Sequence, residues 1–130
     1  MADPGQSERR DFVRVAVSLP VRYKFLTPGA DKRDDTVYDG VTSNISSGGI
    51  LLRGKIPSND WLVELLLQKV VLGINMLLPG TQEPVKALAR VTWVEGLTVQ
   101  SQCSMGLIFK EVSRENQDKI VQFIIRSQMP

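Results

Sequence analysis

The sequence predicts an all-β fold, a six-stranded antiparallel β-barrel followed by a C-terminal α-helix. Three observations carry this. Apolar residues recur at every second position over several separate stretches, which is the period of a strand with one buried face. Those stretches follow one another at short spacing, with turn-forming residues between them. One stretch near the end instead carries its apolar residues at helical spacing, behind a serine suited to capping. A chain of 130 residues that is 42% hydrophobic and 23% charged is long enough for one domain with a real core, and too apolar to be disordered.

Taken in order, residues 1–8 contain Pro4, Gly5 and small polar residues and are expected to form a flexible tail, leaving 9–130 as the domain. From Val13 to Phe25 the odd positions are Val13, Val15, Val17, Leu19, Val21, Tyr23 and Phe25, a strand with one apolar face. Pro20 has no N–H to give to a ladder, so it marks an edge or a bulge where that strand bends. Pro28-Gly29 and the charged residues after them form a polar loop. Thr36 to Ser43 and Ile50 to Arg53 are the next two strands. Ser58-Asn59-Asp60 offers caps to a short helix carrying Leu62, Leu65 and Leu66.

Val70 to Leu78 is a strand closed by Pro79-Gly80. The Leu- and Val-rich run from Trp61 to Leu78 is interrupted by Glu64, Gln68, Lys69 and Asn75, so it reads as core, and no membrane insertion is expected. Val85, Ala87, Ala89, Val91 and Trp93 alternate with Lys86, Leu88, Arg90 and Thr92 to give a further strand reaching Glu95. After the Glu95-Gly96 turn, Val99 to Phe109 runs back as the last strand. Ser113 then caps a helix with Ile120, Phe123 and Ile124 on one face, widened by Val121 and Ile125.

Composition excludes several functions. A net charge of +2 is too small for duplex nucleic acid or an anionic membrane as the main partner, so no DNA is expected. A small barrel binding single-stranded nucleic acid needs a stacking platform and a basic groove, and with 6% aromatic residues and this low charge it is the weaker rival reading. There is no histidine, hence no imidazole base and no histidine metal ligand. Cys103 has no obvious activating neighbour, and carboxylates such as Asp39 and Glu95 are scattered, so the chain is not expected to be an enzyme. The single cysteine also forbids an intrachain disulfide and suits a reducing compartment. The N-terminus lacks the apolar core of a secretion signal, and the expected location is the cytoplasm.

Two patches stand out. Asn44-Ile45-Ser46-Ser47-Gly48-Gly49 sits between two predicted strands, where glycines allow positive φ and close approach of backbone to a ligand. The same residues also build ordinary turns. Arg9, Arg10 and Arg14 cluster ahead of the first strand. They are either a solvated basic entry or an anion clamp, because guanidinium forks pair with phosphate and with guanine O6 and N7, and stack on purines. Average residue usage puts both spacings together, each beside a strand, at around one chain in fifty or below. Neither is strong alone, but the pair is.

With these residues in place the chain resembles a PilZ domain, the small receptor module for the second messenger cyclic di-GMP. The resemblance rests on Arg10-x-x-x-Arg14, on Asn44-x-Ser46-x-x-Gly49, on Gly106-Leu107-Ile108-Phe109 in the last strand, and on the closing helix. It implies a PilZ-like split barrel over residues 9–130 and a cyclic di-GMP receptor that signals to a downstream protein partner, with no other cofactor. Arg10 and Arg14 would grip phosphate and guanine while Asn44, Ser46, Gly48 and Gly49 hold the other side. Arg9, directly ahead of the motif, is the position that accompanies binding of a stacked pair of ligand molecules. Trp93 matches a position where some members place an aromatic against the ligand, and it also fits the barrel core in register with Val91 and Ala89. Many relatives have Asp where this chain has Asn44, which exchanges a two-oxygen acceptor for one acceptor and two donors. The alternative within the family is a protein-interaction adaptor, associated with pili or motility, that binds no nucleotide. Such adaptors usually lack the arginines.

Overall fold

In the computed structural model, residues 13–26, 33–96 and 102–129 are described. The strands are β1 (Val15–Ala16), β2 (Pro20–Leu26), β3 (Tyr38–Ile45), β4 (Gly49–Gly54), β5 (Val71–Met76), β6 (Val85–Glu95) and β7 (Cys103–Val112). Two helices follow β4 and β7, namely α1 (Leu62–Leu66, entered through a 3-10 turn at Asn59–Trp61) and α2 (Arg114–Ser127). Strands β2 to β7 pair antiparallel in the ring β2–β3–β4–β7–β6–β5 and back to β2. Closure leaves none of these six strands as an open edge.

The predicted first strand is interrupted. Ala16 faces Asn44, and the next pair is Pro20 with Val41. Residues 17–19 therefore oppose only residues 42 and 43, which is a bulge immediately ahead of the proline. Thr42 occupies it. Its Oγ1 accepts from the Leu19 N–H at 3.0 Å and donates to the Val17 carbonyl at 2.7 Å, satisfying two backbone groups that the bulge takes out of the ladder. β1 is thus the bulged beginning of the first barrel strand, and the barrel has six strands.

Inward positions follow from period-2 alternation. Val21, Tyr23 and Phe25 of β2, Leu72, Ile74 and Met76 of β5, and Val85, Ala87, Ala89 and Val91 of β6 are all buried. The run read as core is mostly that, with Trp61, Leu65, Val70 and Leu78 buried as well, although Val63 and Leu66 of α1 and Leu67 just after it face outward. Among the described residues no helix is long and apolar enough to cross a membrane.

Helix α2 closes the end of the barrel where β3 turns into β4. The Ser113 side chain accepts from the Asn116 N–H at 3.1 Å, as its capping role requires, and Ile120 and Ile124 are buried with Phe123 packed beside them. Ile125 does not widen that face and is half exposed. Trp61 covers the other end, its ring 5.8 Å from that of Phe25. There Ser58 makes no capping bond to the backbone, because its hydroxyl turns to the Asp60 carboxylate.

Candidate functional site

Strand pairing carries the two sequence patches to one place. Along one line across the outer surface, Ala16 pairs with Asn44, Asn44 with Leu51, Leu51 with Gly106, and Gly106 with Trp93. A second line runs beside it. Gly49 pairs with Ile108 and Ile108 with Arg90, while the Ser46 N–H donates to the Gly49 carbonyl at 2.9 Å. Arg14 directly precedes β1, and continuing the β1–β3 register one residue past its last pair, Val15 with Ile45, brings it to Ser46. Residues opposite one another in an antiparallel pair share a face, and here it is the outer one, since Ile45, Ile50, Leu52, Met105 and Leu107 fill the interior between them. None of the residues along these lines is acidic, and two are arginines.

The turn itself is tight. The Ser46 hydroxyl accepts from the Gly48 N–H at 3.2 Å and lies 3.3 Å from the Gly49 carbonyl oxygen, and the Gly48 carbonyl accepts from Phe109 N–H at 2.9 Å. Gln117 of α2 donates to the Ser47 carbonyl at 3.2 Å, tying the turn to the helix. Ser46 is 7% exposed, so its hydroxyl chiefly shapes the loop. Neither Gly48 nor Gly49 uses the positive φ that glycine allows, which among the described glycines only Gly80 and Gly96 adopt. The need for glycine at position 49 is packing, because a Cβ there would come 2.0 Å from the Leu107 carbonyl oxygen.

Asn44 is half-buried, and its amide has no hydrogen-bond partner among the described residues. Arg14 is exposed and makes no ion pair among them, in contrast to Arg22, which lies 3.3 Å from Asp39, and Arg33, 3.2 Å from Asp35. Arg9 and Arg10 lie outside the described residues.

Trp93 is not in the core. The β6–β7 register shifts between Val91 and Trp93, where Thr92 is the extra residue, its hydroxyl donating to the Gly106 carbonyl at 3.1 Å. The bulge inverts the alternation, so Val94 turns inward beside Met105 and Trp93 outward. Its indole lies across β7, directly over Gly106, where a Cβ would meet Nε1 at 2.2 Å. One ring face rests on backbone and the residue stays 39% exposed, an arrangement that offers a flat surface for stacking.

Sequence reasoning missed Arg90, Leu51 and Ile108 as members of this surface. The simple alternation of β6 assigns Arg90 and Trp93 to opposite faces, and only the Thr92 bulge unites them. Cys103 is buried, and burial raises its thiol pKa, so it is no ready nucleophile. No cluster of three metal-binding side chains occurs among the described residues.

Comparison with known proteins places the fold in a family. The PilZ domain family model matches residues 8–126. Three solved structures share the fold. The Bacillus subtilis inhibitor of motility MotI/DgrA is 21% identical with a TM-score of 0.64, the match covering 92% of this chain and 51% of that one. The PilZ domain of CeSA from a cellulose-synthesizing bacterium is 16% identical with a TM-score of 0.55, covering 89% and 98%. MrkH, described as a c-di-GMP-dependent transcription regulatory factor, is 18% identical with a TM-score of 0.57, covering 88% and 49%. The chain thus spans about half the length of the first and third of these. Curated proteins give no match.

Proposed function

The chain belongs to the PilZ family, a family of non-catalytic receptor modules, and from that premise we propose that it binds cyclic di-GMP and relays the binding to a protein partner in the cytoplasm. One observation carries the reading. Two patches far apart in sequence, one holding Arg14 and one running from Asn44 to Gly49, meet on a single outer face of the barrel, and that face also carries Trp93. A dinucleotide ring with two phosphates and two guanines needs cationic forks, a polar edge and an aromatic surface, and the face offers each.

In this reading Arg10 and Arg14 bind phosphate and the guanine edge, with Arg9 extending the clamp to a second, stacked ligand. The Asn44 amide, free of partners among the described residues, faces a base. Ser46, Gly48 and Gly49 hold the turn at the height that lets the ligand rest on backbone, and Trp93 stacks on a purine. Three positive charges ahead of β1 repel one another until two phosphates join them, so ligand closes residues 8–14 over the barrel and creates the surface a partner recognises. Amide exchange over Glu8 to Arg14 should slow on adding cyclic di-GMP, and equal rates with and without it would remove the switch.

The decisive experiment is a calorimetric titration with cyclic di-GMP, on the unaltered chain and on Arg10→Ala and Arg14→Ala. Each lost charge-assisted contact is worth about 1.5–3 kcal/mol, so either variant should bind roughly 10- to 150-fold more weakly. Ligand at about 100 times its dissociation constant should stabilise the unaltered fold by ~2.7 kcal/mol. No heat and no stabilisation would leave the adaptor reading in its place.

A further inference from the structure

We infer that Arg90 is a specificity-determining residue of this face, reading the O6/N7 edge of the guanine that stacks on Trp93. The inference rests on the receptor reading above and adds a residue outside the two sequence patches. Four observations lead to it. Arg90 pairs with Ile108, which pairs with Gly49, so it stands at the far end of the line that begins at Arg14. Strands are about 4.8 Å apart, which puts the two arginines roughly 19 Å from each other along the curved surface and on opposite flanks of the turn. Arg90 and Trp93 flank the Thr92 bulge and both face outward, so a purine laid on the indole presents an edge towards the guanidinium. Among the described residues, the Nε of Arg90 is a buried side-chain donor with no hydrogen-bond partner, a condition native structures seldom leave unexplained.

The chemistry then selects the base. Guanine offers two acceptors, O6 and N7, to a fork of two N–H donors, whereas adenine sets an amino donor where O6 would be. A lysine in the same place would keep the charge but not the fork. Methionine would keep an apolar stem over the barrel and neither of the others.

The test is a calorimetric comparison of cyclic di-GMP with cyclic di-AMP on the unaltered chain, Arg90→Met and Arg90→Lys, with the unliganded thermal midpoint of each recorded. The unaltered chain should prefer the guanine ligand. Arg90→Met should lose about 5- to 150-fold in affinity for it, the range one two-pronged arginine–guanine contact carries, with little change for cyclic di-AMP. Arg90→Lys should lose the same preference, which a purely structural role would not produce. Equal loss for both ligands would make Arg90 a phosphate contact and overturn the inference. Unchanged affinities in a folded variant would overturn it while leaving the receptor reading intact, because Arg14→Ala would still bind poorly. Absence of cyclic di-GMP binding in the unaltered chain would overturn both.

Discussion

The two ends of the barrel treat polar groups in opposite ways. Where Trp61 covers one end, Tyr23, Phe25 and Tyr38 pack ring to ring at 5.4–5.7 Å. Their hydroxyls are paired, Tyr23 donating to the Lys55 carbonyl at 2.6 Å and Tyr38 to the Asp34 carboxylate. On the outer face near the other end, Arg14, Asn44 and Arg90 have no partner among the described residues. One region completes its own bonding, and the other leaves donors and an aromatic surface open. Stability and recognition are therefore separable in this fold, and substitutions should sort accordingly.

The largest effect should come from the aromatic end. Phe25 is 2% exposed, so Phe25→Ala should destabilise the fold by about 3–5 kcal/mol in chemical denaturation, while the molecules that remain folded bind cyclic di-GMP as before. If their affinity falls too, the separation is wrong. Arg14→Ala is the mirror case, with weaker binding and an unchanged unliganded midpoint.

Thr42→Val sharpens the comparison by touching both. Thr42 is 1% exposed and its hydroxyl serves both sides of the bulge between β1 and β2. Its removal leaves the Leu19 N–H and Val17 carbonyl without that partner, for a loss of about 1–3 kcal/mol. Because β1 then loosens, ligand affinity should drop as well. A stability loss with no change in affinity would mean that β1 does not position the clamp.

The smallest effect is pH-dependent and confined to the aromatic end. Burial, and then the Asp34 carboxylate, push the Tyr38 phenol up to about 12. A raised folded pKa stabilises the neutral form, so this contribution is complete below pH ~10 and is lost as pH rises from about 10 to about 12. Burial shifts Tyr23 upward too. Tyr38→Phe should therefore be less stable at neutral pH, with the gap to the unaltered chain closing above pH ~10. A gap that stays constant to pH ~12 would show that the phenol is not held neutral by the fold.

The same division explains what was legible in the sequence. Strands with buried faces announce themselves by alternation, as in Val21, Tyr23 and Phe25, and the capped helix by Ser113. The Asn44–Gly49 turn was legible because glycine and serine are needed there, although the reason at Gly49 is contact with the Leu107 carbonyl and not backbone conformation. Bulges were not legible. Pro20 hinted at one, but nothing in Val91-Thr92-Trp93 signals that an extra residue inverts the alternation, and that inversion decides whether Trp93 and Arg90 share a surface. Strand ends also moved, β3 extending to Ile45 and β7 to Val112, since pairing partners and not local pattern set where a ladder stops.

In the proposed reading one outer face, spanning β1, β3, β4, β7 and β6, receives the ligand. Backbone amide NMR during titration with cyclic di-GMP tests it most directly. Shifts should concentrate at Arg14, Ala16, Asn44, Gly49, Gly106, Ile108 and the Trp93 indole, with β5 from Val71 to Met76 left unmoved. Shifts centred on β5 and the outer side of β2, with Asn44 and Gly106 silent, would contradict it.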